Sequence, residues 1–165
     1  MSGAGAPGLA ADGKAADGTA VDGAGMTVEI VAASWHTLVM DGLVAGASGA
    51  CEAAGASYRV TRVPGCFEIP VVAQALAARG ARAIVGLGVV IRGDTPHFEY
   101  VCEAVTRGLT DVARINGVAV GFGILTCDDE AQAIARAGLA GSKESKGAEA
   151  VEAAIVTARI LENLS

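Results

Sequence analysis

Four short runs rich in aliphatic and β-branched residues recur along the chain, and a helix-compatible stretch follows each. The runs are VEIVAA (28–33), YRVTRV (58–63), AIVGLGVVI (83–91) and VAVGFGIL (118–125). Each has the length and composition of a strand. Residues 38–55 are Ala-rich and helix-compatible, though glycines weaken that reading. Residues 69–79 read as a second helix. Residues 96–115 place Val101, Val105, Leu109 and Val112 at helical spacing. Residues 129–137 and 147–163 read as further helices, the latter with Val151, Ile155 and Ala158 on one stripe. Strands alternating with helices imply a parallel sheet covered on both faces. With right-handed crossovers, this predicts an α/β fold: a three-layer α/β/α sandwich on a four-stranded parallel sheet, flavodoxin-like. Ligands of such sheets bind beyond the carboxyl ends of the strands. Attention therefore falls on the segments after Ala33, Val63, Ile91 and Leu125.

The chain has 165 residues, the length of one domain. Apolar residues make up 52% and aromatics only 4%, so Ala, Val, Ile and Leu must build the core. Residues 1–25 are Gly, Ala and Asp with few large apolar groups, and are expected to form a disordered tail ahead of a domain at 26–165. No apolar run reaches the roughly 18 residues of a membrane span. A net charge of −6 with no basic patch argues against a nucleic-acid binder. Cys51, Cys66, Cys102 and Cys127 form no CxxC pair, which reads as reduced, mostly buried thiols in a cytoplasmic protein and no metal site. The N-terminus lacks the pattern of a signal peptide. The Asn163-Leu164-Ser165 sequon therefore carries no weight.

The segment after Ile91 carries the most chemical information. Gly93 frees the backbone, Thr95 suits an N-cap, and Pro96 fits the first helical position. Free N–H groups at a helix start beyond a strand end make an anion site. Asp94 is expected to point outward, leaving only its N–H for the anion. His97 lies in the first helical turn. The positive helix end disfavours imidazolium there and leaves a ring able to accept a proton, unless His97 is only a surface or capping histidine. VPGCFEIP (63–70) forms a rigid loop after the second strand. It can offer backbone groups and Glu68 to a polar ligand, but its composition alone favours a plain turn with Glu68 as a first-turn acid. Trp35, the only tryptophan, can stack on a flat ring or cover the core. Phe122 is equally ambiguous. Arg136 can grip a phosphate with two hydrogen bonds or be a solvated helix arginine, and Lys146, in a charged loop, has the same two readings. Gly86-Leu-Gly88 is followed by no third glycine at dinucleotide-binding spacing, and the chain has neither a Walker lysine nor a Gly-x-Ser-x-Gly elbow.

These separate segments coincide in one family. Ser34-Trp35-His36 resembles the Arg-Phe-Asn segment of lumazine synthases, in an actinobacterial-like variant. VPGCFEIPVVAQALA resembles the family's VPG-x-x-EIP loop and helix. GVVIRGDTPHFEYV resembles its most specific motif, and FGILTCDDEAQAIARAG and SKGAEA its C-terminal signatures. The resemblance covers roughly residues 28–160. It implies an enzyme that condenses 5-amino-6-(D-ribitylamino)uracil with 3,4-dihydroxy-2-butanone 4-phosphate, without metal or organic cofactor.

By the same resemblance, Trp35 stacks on the pyrimidine. Cys66, Phe67 and Glu68 bind the ribityl chain. Val90 and Ile91 offer backbone groups to the pyrimidine. Gly93, Asp94 and Thr95 form the phosphate loop, His97 moves protons, and Arg136 binds phosphate. Phe122, Arg136 and Lys146 are implied to arrive from a neighbouring subunit, since the family's sites lie between adjacent subunits of a pentamer. Ser34 and His36 depart from the usual Arg and Asn. The 138–146 loop lacks the Gly-x-Lys-x-Gly-Asn pattern of relatives that build icosahedral shells, which favours a pentamer or decamer. Two rival readings are a non-catalytic flavin- or lumazine-binding or assembly protein on the same scaffold, and a related riboflavin synthase. His97, Thr95 and Arg136 together argue against the first, and the extended motifs against the second.

Overall fold

The computed structural model describes residues 21–164. The elements are β1 (Thr27–Ala33), α1 (Thr37–Ala53), β2 (Ser57–Val63), a 3-10 turn (Cys66–Glu68), α2 (Ile69–Ala78), β3 (Ala83–Ile91), α3 (His97–Asn116), β4 (Ala119–Cys127), α4 (Glu130–Ile134) and α5 (Lys146–Leu164). The strands form one sheet in the order β2-β1-β3-β4, and every pairing is parallel. Helices on both faces make it the three-layer sandwich that the alternation predicts.

Side chains alternate across the sheet because successive residues of a strand point to opposite faces. Val28, Ile30, Ala32, Val85, Leu87, Val89 and Leu125 join Met40, Leu43, Val151 and Ile155 in the core under α1 and α5. Val31, Ala33, Ile84 and Ile124 join Ile69, Ala73, Val105 and Leu109 under α2 and α3. With so few aromatics, much of the fit is backbone against backbone. A Cβ on Gly121 in β4 would lie 2.1 Å from the Ala150 carbonyl oxygen of α5, and one on Gly147 in α5 would lie 2.0 Å from the Leu43 carbonyl oxygen of α1. The buried Glu29 of β1 is balanced by Arg59, its register partner on β2, whose Nε donates to it at 2.9 Å.

Three expectations are corrected. The helix expected over 129–137 ends at Ile134. Beyond it the chain turns at Gly138 and Gly141, both at positive φ, and a bridge pairs Ala137 with Ser145. Left-handed glycines do not propagate a helix. Second, Thr95 is not the N-cap of α3. Pro96 occupies that place with φ −63° and ψ 0°, no side chain caps it, and His97 is the first helical residue. A tight turn, closed by the Glu99 N–H donating to the Pro96 carbonyl at 3.1 Å, replaces the side-chain cap. Third, residues 21–25 are held in place although composition assigns them to the tail. Val21 is buried, the Gly23 N–H donates to the Ala54 carbonyl at 2.8 Å, and Arg159 donates to the carbonyls of Asp22 (3.0 Å) and Ala24 (2.6 Å). One apolar anchor and backbone hydrogen bonds to α1 and α5 supply the order that composition alone does not reveal. Residues 1–20 of the expected tail lie outside the described residues.

Candidate active site

In the order β2-β1-β3-β4 the connections reverse direction between β1 and β3, and open parallel sheets bind ligands at the carboxyl end of such a reversal. Trp35 follows β1 and the β3–α3 loop follows β3, so the two flank that crevice. Trp35 is 70% exposed, which rules out a role as a core cover. Its indole lies across Gly65, whose Cβ position is 3.7 Å from Trp35 Cδ1. Two bonds join the ends of β1 and β2: the Ser34 hydroxyl donates to the Val63 carbonyl at 2.8 Å, and its N–H to the Pro64 carbonyl at 3.3 Å. His36 then turns the chain into α1 with φ 59° and ψ 62°, a left-handed conformation that His and Asn tolerate better than most residues. The two departures from the family pattern thus both serve backbone geometry.

The loop after β2 is tied internally. The Gly65 N–H donates to Glu68 Oε2 at 2.9 Å, and no hydrogen bond among the described residues occupies Oε1, which can accept from a ligand. Phe67 is 62% exposed. Cys66 is different. Its thiol points into the core and donates to the Val89 carbonyl at 3.6 Å, and a Cβ on Gly88 would overlap its sulfur. Burial pushes the Cys66 thiol up to about 11. Only the backbone of Cys66 is left to face a ligand.

Val90 and Ile91 are half-buried at the end of β3, and Gly93, Asp94, Thr95 and His97 are exposed. Between them stands Arg92, to which the sequence reading assigned no role. Its Nε donates to Asp128 Oδ1 at 3.0 Å, Nη1 donates to Glu99, and its guanidinium carbon lies 4.2 Å from the centre of the Phe98 ring. Hydrogen bonds from Arg92 hold the Glu99 and Asp128 carboxyls below their ordinary range, and the same bonds raise Arg92. The available signal was its place as the one arginine in GVVIRGDTPHFEYV. Phe98 and Glu99 lie within that segment, but Asp128, 36 residues on, is too far along the chain to be read from it.

Phe122, Arg136 and Lys146 lie elsewhere. Phe122 pairs with Gly86 midway along the edge strand β4 and is 46% exposed. Five residues separate it from the end of β4, about 16 Å at strand rise. Arg136 is half-buried beyond α4, with Nη1 donating to the Gln132 carbonyl at 2.8 Å. Lys146 opens α5, its N–H donating to the Arg136 carbonyl at 3.0 Å. Its ammonium sits between Glu149 at 2.6 Å and Glu144 at 3.0 Å. Burial pulls that ammonium down, but hydrogen bonds to both carboxylates outweigh it and hold it above its ordinary value. Asp129, Gln132, Arg136, Lys143 and Glu144 line an open groove of about 350 Å³. A second groove of about 430 Å³ runs along α3 and β4, lined by Phe98, Cys102, Thr106 and Thr126. Trp35, Glu68 and His97 line neither. Among the described residues no cluster of three or more His, Cys, Asp or Glu is placed to hold a metal, and no helix is long and apolar enough to cross a membrane.

Residues 25–162 match the family model described as 6,7-dimethyl-8-ribityllumazine synthase. The chain belongs to that family. It is 56% identical over 164 residues to the 6,7-dimethyl-8-ribityllumazine synthase of Leifsonia xyli subsp. xyli, covering 99% of each chain. It is 54% identical over 166 residues to that of Streptomyces avermitilis, covering 100% of this chain and 98% of the relative. Against that of Kineococcus radiotolerans it is 60% identical over 135 residues, 81% of this chain and 84% of the relative. The match to the lumazine synthase family runs through every element from β1 to α5 and includes every candidate residue.

Proposed function

We propose that this chain condenses 5-amino-6-(D-ribitylamino)uracil with 3,4-dihydroxy-2-butanone 4-phosphate to 6,7-dimethyl-8-ribityllumazine, inorganic phosphate and two waters, the penultimate step of riboflavin biosynthesis. The amine attacks the ketone and loses water to form an imine. Phosphate is then eliminated, and the ring closes with loss of the second water. The observation that carries this reading is the placement of Trp35, the Glu68-tied loop and the His97-bearing start of α3 around one strand-order reversal, in a chain matched end to end by named synthases.

Each group has a matching task. Trp35 stacks on the pyrimidine, and Val90 and Ile91 hold the ring edge with backbone groups. Glu68 Oε1 and the backbone of Cys66 and Phe67 bind the ribityl hydroxyls. The N–H groups of Gly93, Asp94 and Thr95 face the phosphate at the positive end of α3. His97, at the first position of that helix, moves protons during imine formation and elimination. Phe122, Arg136 and Lys146 act in the site of an adjacent copy within a cytoplasmic homo-oligomer, a pentamer or decamer. The distance of Phe122 from the strand ends of its own chain supports that arrangement.

Purified protein given both substrates is expected to release phosphate and form a fluorescent lumazine faster than buffer does. An unaccelerated reaction sinks the proposal, and flavin binding without turnover would point to a binding protein instead. His97→Ala is expected to slow turnover by about 10²-fold, the low end of acid–base contributions. It should not abolish the reaction, because the substrates condense unaided. A wild-type rate in that variant removes His97 from proton transfer.

A further inference from the structure

Arg92 closes the ends of the β3–α3 loop on each other. Its backbone N–H donates to the Cys127 carbonyl at 2.9 Å, extending the β3–β4 ladder one step. Its side chain then spans Gly93 to His97. The guanidinium rests on the ring of Phe98, and Nη1 reaches Glu99, both in the first turn of α3. On its other side Nε meets Asp128, the first residue beyond β4. Asp128 passes the connection on. Its N–H donates to Gln132 Oε1 at 3.1 Å, and the Gln132 carbonyl accepts from Arg136 Nη1 at 2.8 Å. One side chain therefore fixes both flanks of the loop and tethers it to the segment that presents Arg136.

Two carboxylates on one guanidinium leave the cluster net negative, which makes it a poor anion ligand. The same pairing makes it a good brace: two directional bonds and a stacked ring leave the side chain little freedom to swing. We propose that Arg92 is a positioning residue, which holds the backbone N–H groups of Gly93–Thr95 and the start of α3 in the geometry that receives the substrate phosphate. The inference rests on the synthase reading above and adds to it a residue with no direct contact to substrate.

The variants Arg92→Gln, Arg92→Lys, Asp128→Asn and the double Arg92→Gln/Asp128→Asn decide it. Each is measured with one substrate varied at a time, and inorganic phosphate binding is measured by calorimetry on the intact protein. Arg92→Gln and Asp128→Asn are each expected to raise the KM for the butanone phosphate about fivefold or more, with the pyrimidine KM within about twofold of wild type, because small misplacements of a binding group are costly. Phosphate affinity falls in parallel. The double variant is no worse than Arg92→Gln, since the pair acts as one unit. Arg92→Lys recovers part of the loss. Tm stays within about 2 °C, as exposed ion pairs contribute little to stability.

Tighter phosphate binding in Asp128→Asn overturns the proposal, because it shows a freed Arg92 acting as an anion ligand or a relieved repulsion. Wild-type behaviour in all variants overturns it too, as does a parallel rise of both KM values with a falling Tm. Absence of turnover in the wild-type protein sinks the synthase reading instead. In that event the calorimetric arm still decides whether Arg92 shapes the phosphate site.

Discussion

Gly147→Ala is expected to cost about 3 kcal/mol of stability, at the upper end of overpacking penalties. The new Cβ would lie 2.0 Å from the Leu43 carbonyl oxygen and 2.9 Å from its carbon. Both atoms are backbone in the middle of α1, so neither can rotate away. Relief requires α5 to retreat from α1, which opens the core shared by Met40, Leu43, Val151 and Ile155. For a chain of this size such a loss lowers Tm by roughly 10 °C. Gly49→Ala is the matched control. It lies within α1, and its Cβ position meets nothing within 4 Å. The same chemical change there is expected to stabilise by about 0.5–1 kcal/mol, because alanine loses less backbone entropy in a helix. Thermal and urea unfolding of the two variants measures both. Equal Tm values for them would show that α1 and α5 do not approach as closely as described.

Arg136→Ala carries the largest expected effect on binding. A charged hydrogen bond is worth roughly 1.5–3 kcal/mol, so the KM for the butanone phosphate should rise about tenfold or more, since 1.4 kcal/mol is a factor of ten. The pyrimidine KM should hold within about twofold, because the guanidinium is assigned to the anion alone. Among the described residues of its own chain the Arg136 side chain makes one hydrogen bond, to the Gln132 carbonyl, and the half-buried stem lies at an open groove. Its removal should therefore disturb folding little. Arg136→Lys is expected to fall between the two, since an ammonium keeps the charge and loses the planar fork. Steady-state kinetics with each substrate varied in turn gives the answer. An unchanged KM for the butanone phosphate in Arg136→Ala would take Arg136 out of the phosphate site.

The strands and long helices were legible because each is a sustained periodic pattern. β3 spans the expected 83–91, and α3 and α5 differ from expectation by one residue at each end. What was missed depends on contacts remote in sequence. The Ala-rich stretch 129–137 reads as helix throughout, and the left-handed turns at Gly138 and Gly141 together with the pairing of Ala137 and Ser145 show why it stops. Residues 21–25 read as tail because Arg159, which holds them, lies at the other end of the chain. The glycines that weakened the α1 reading include Gly42, whose Cβ would lie 2.6 Å from the Ala137 carbonyl oxygen. It marks a close approach rather than a helix end.

The candidate site was legible as segments and not as geometry. The Cys66 thiol turns inward where Gly88 leaves room for its sulfur, and the exposed indole of Trp35 rests in van der Waals contact beside Gly65. Neither relation has a local sequence signature. Arg92 shows the same limit, since one of its two carboxylate partners is Asp128 on a different strand's exit.

The indole beside Gly65 also gives the molecule a built-in optical probe. Trp35 is the only tryptophan among 165 residues, so emission excited at the red edge of its absorption comes from a single place at the crevice. A heterocycle laid over that ring should quench the signal, with one step per chain. A fluorescence titration would then count occupied crevices per assembly, and a stopped-flow trace would time ligand arrival separately from the chemistry that follows.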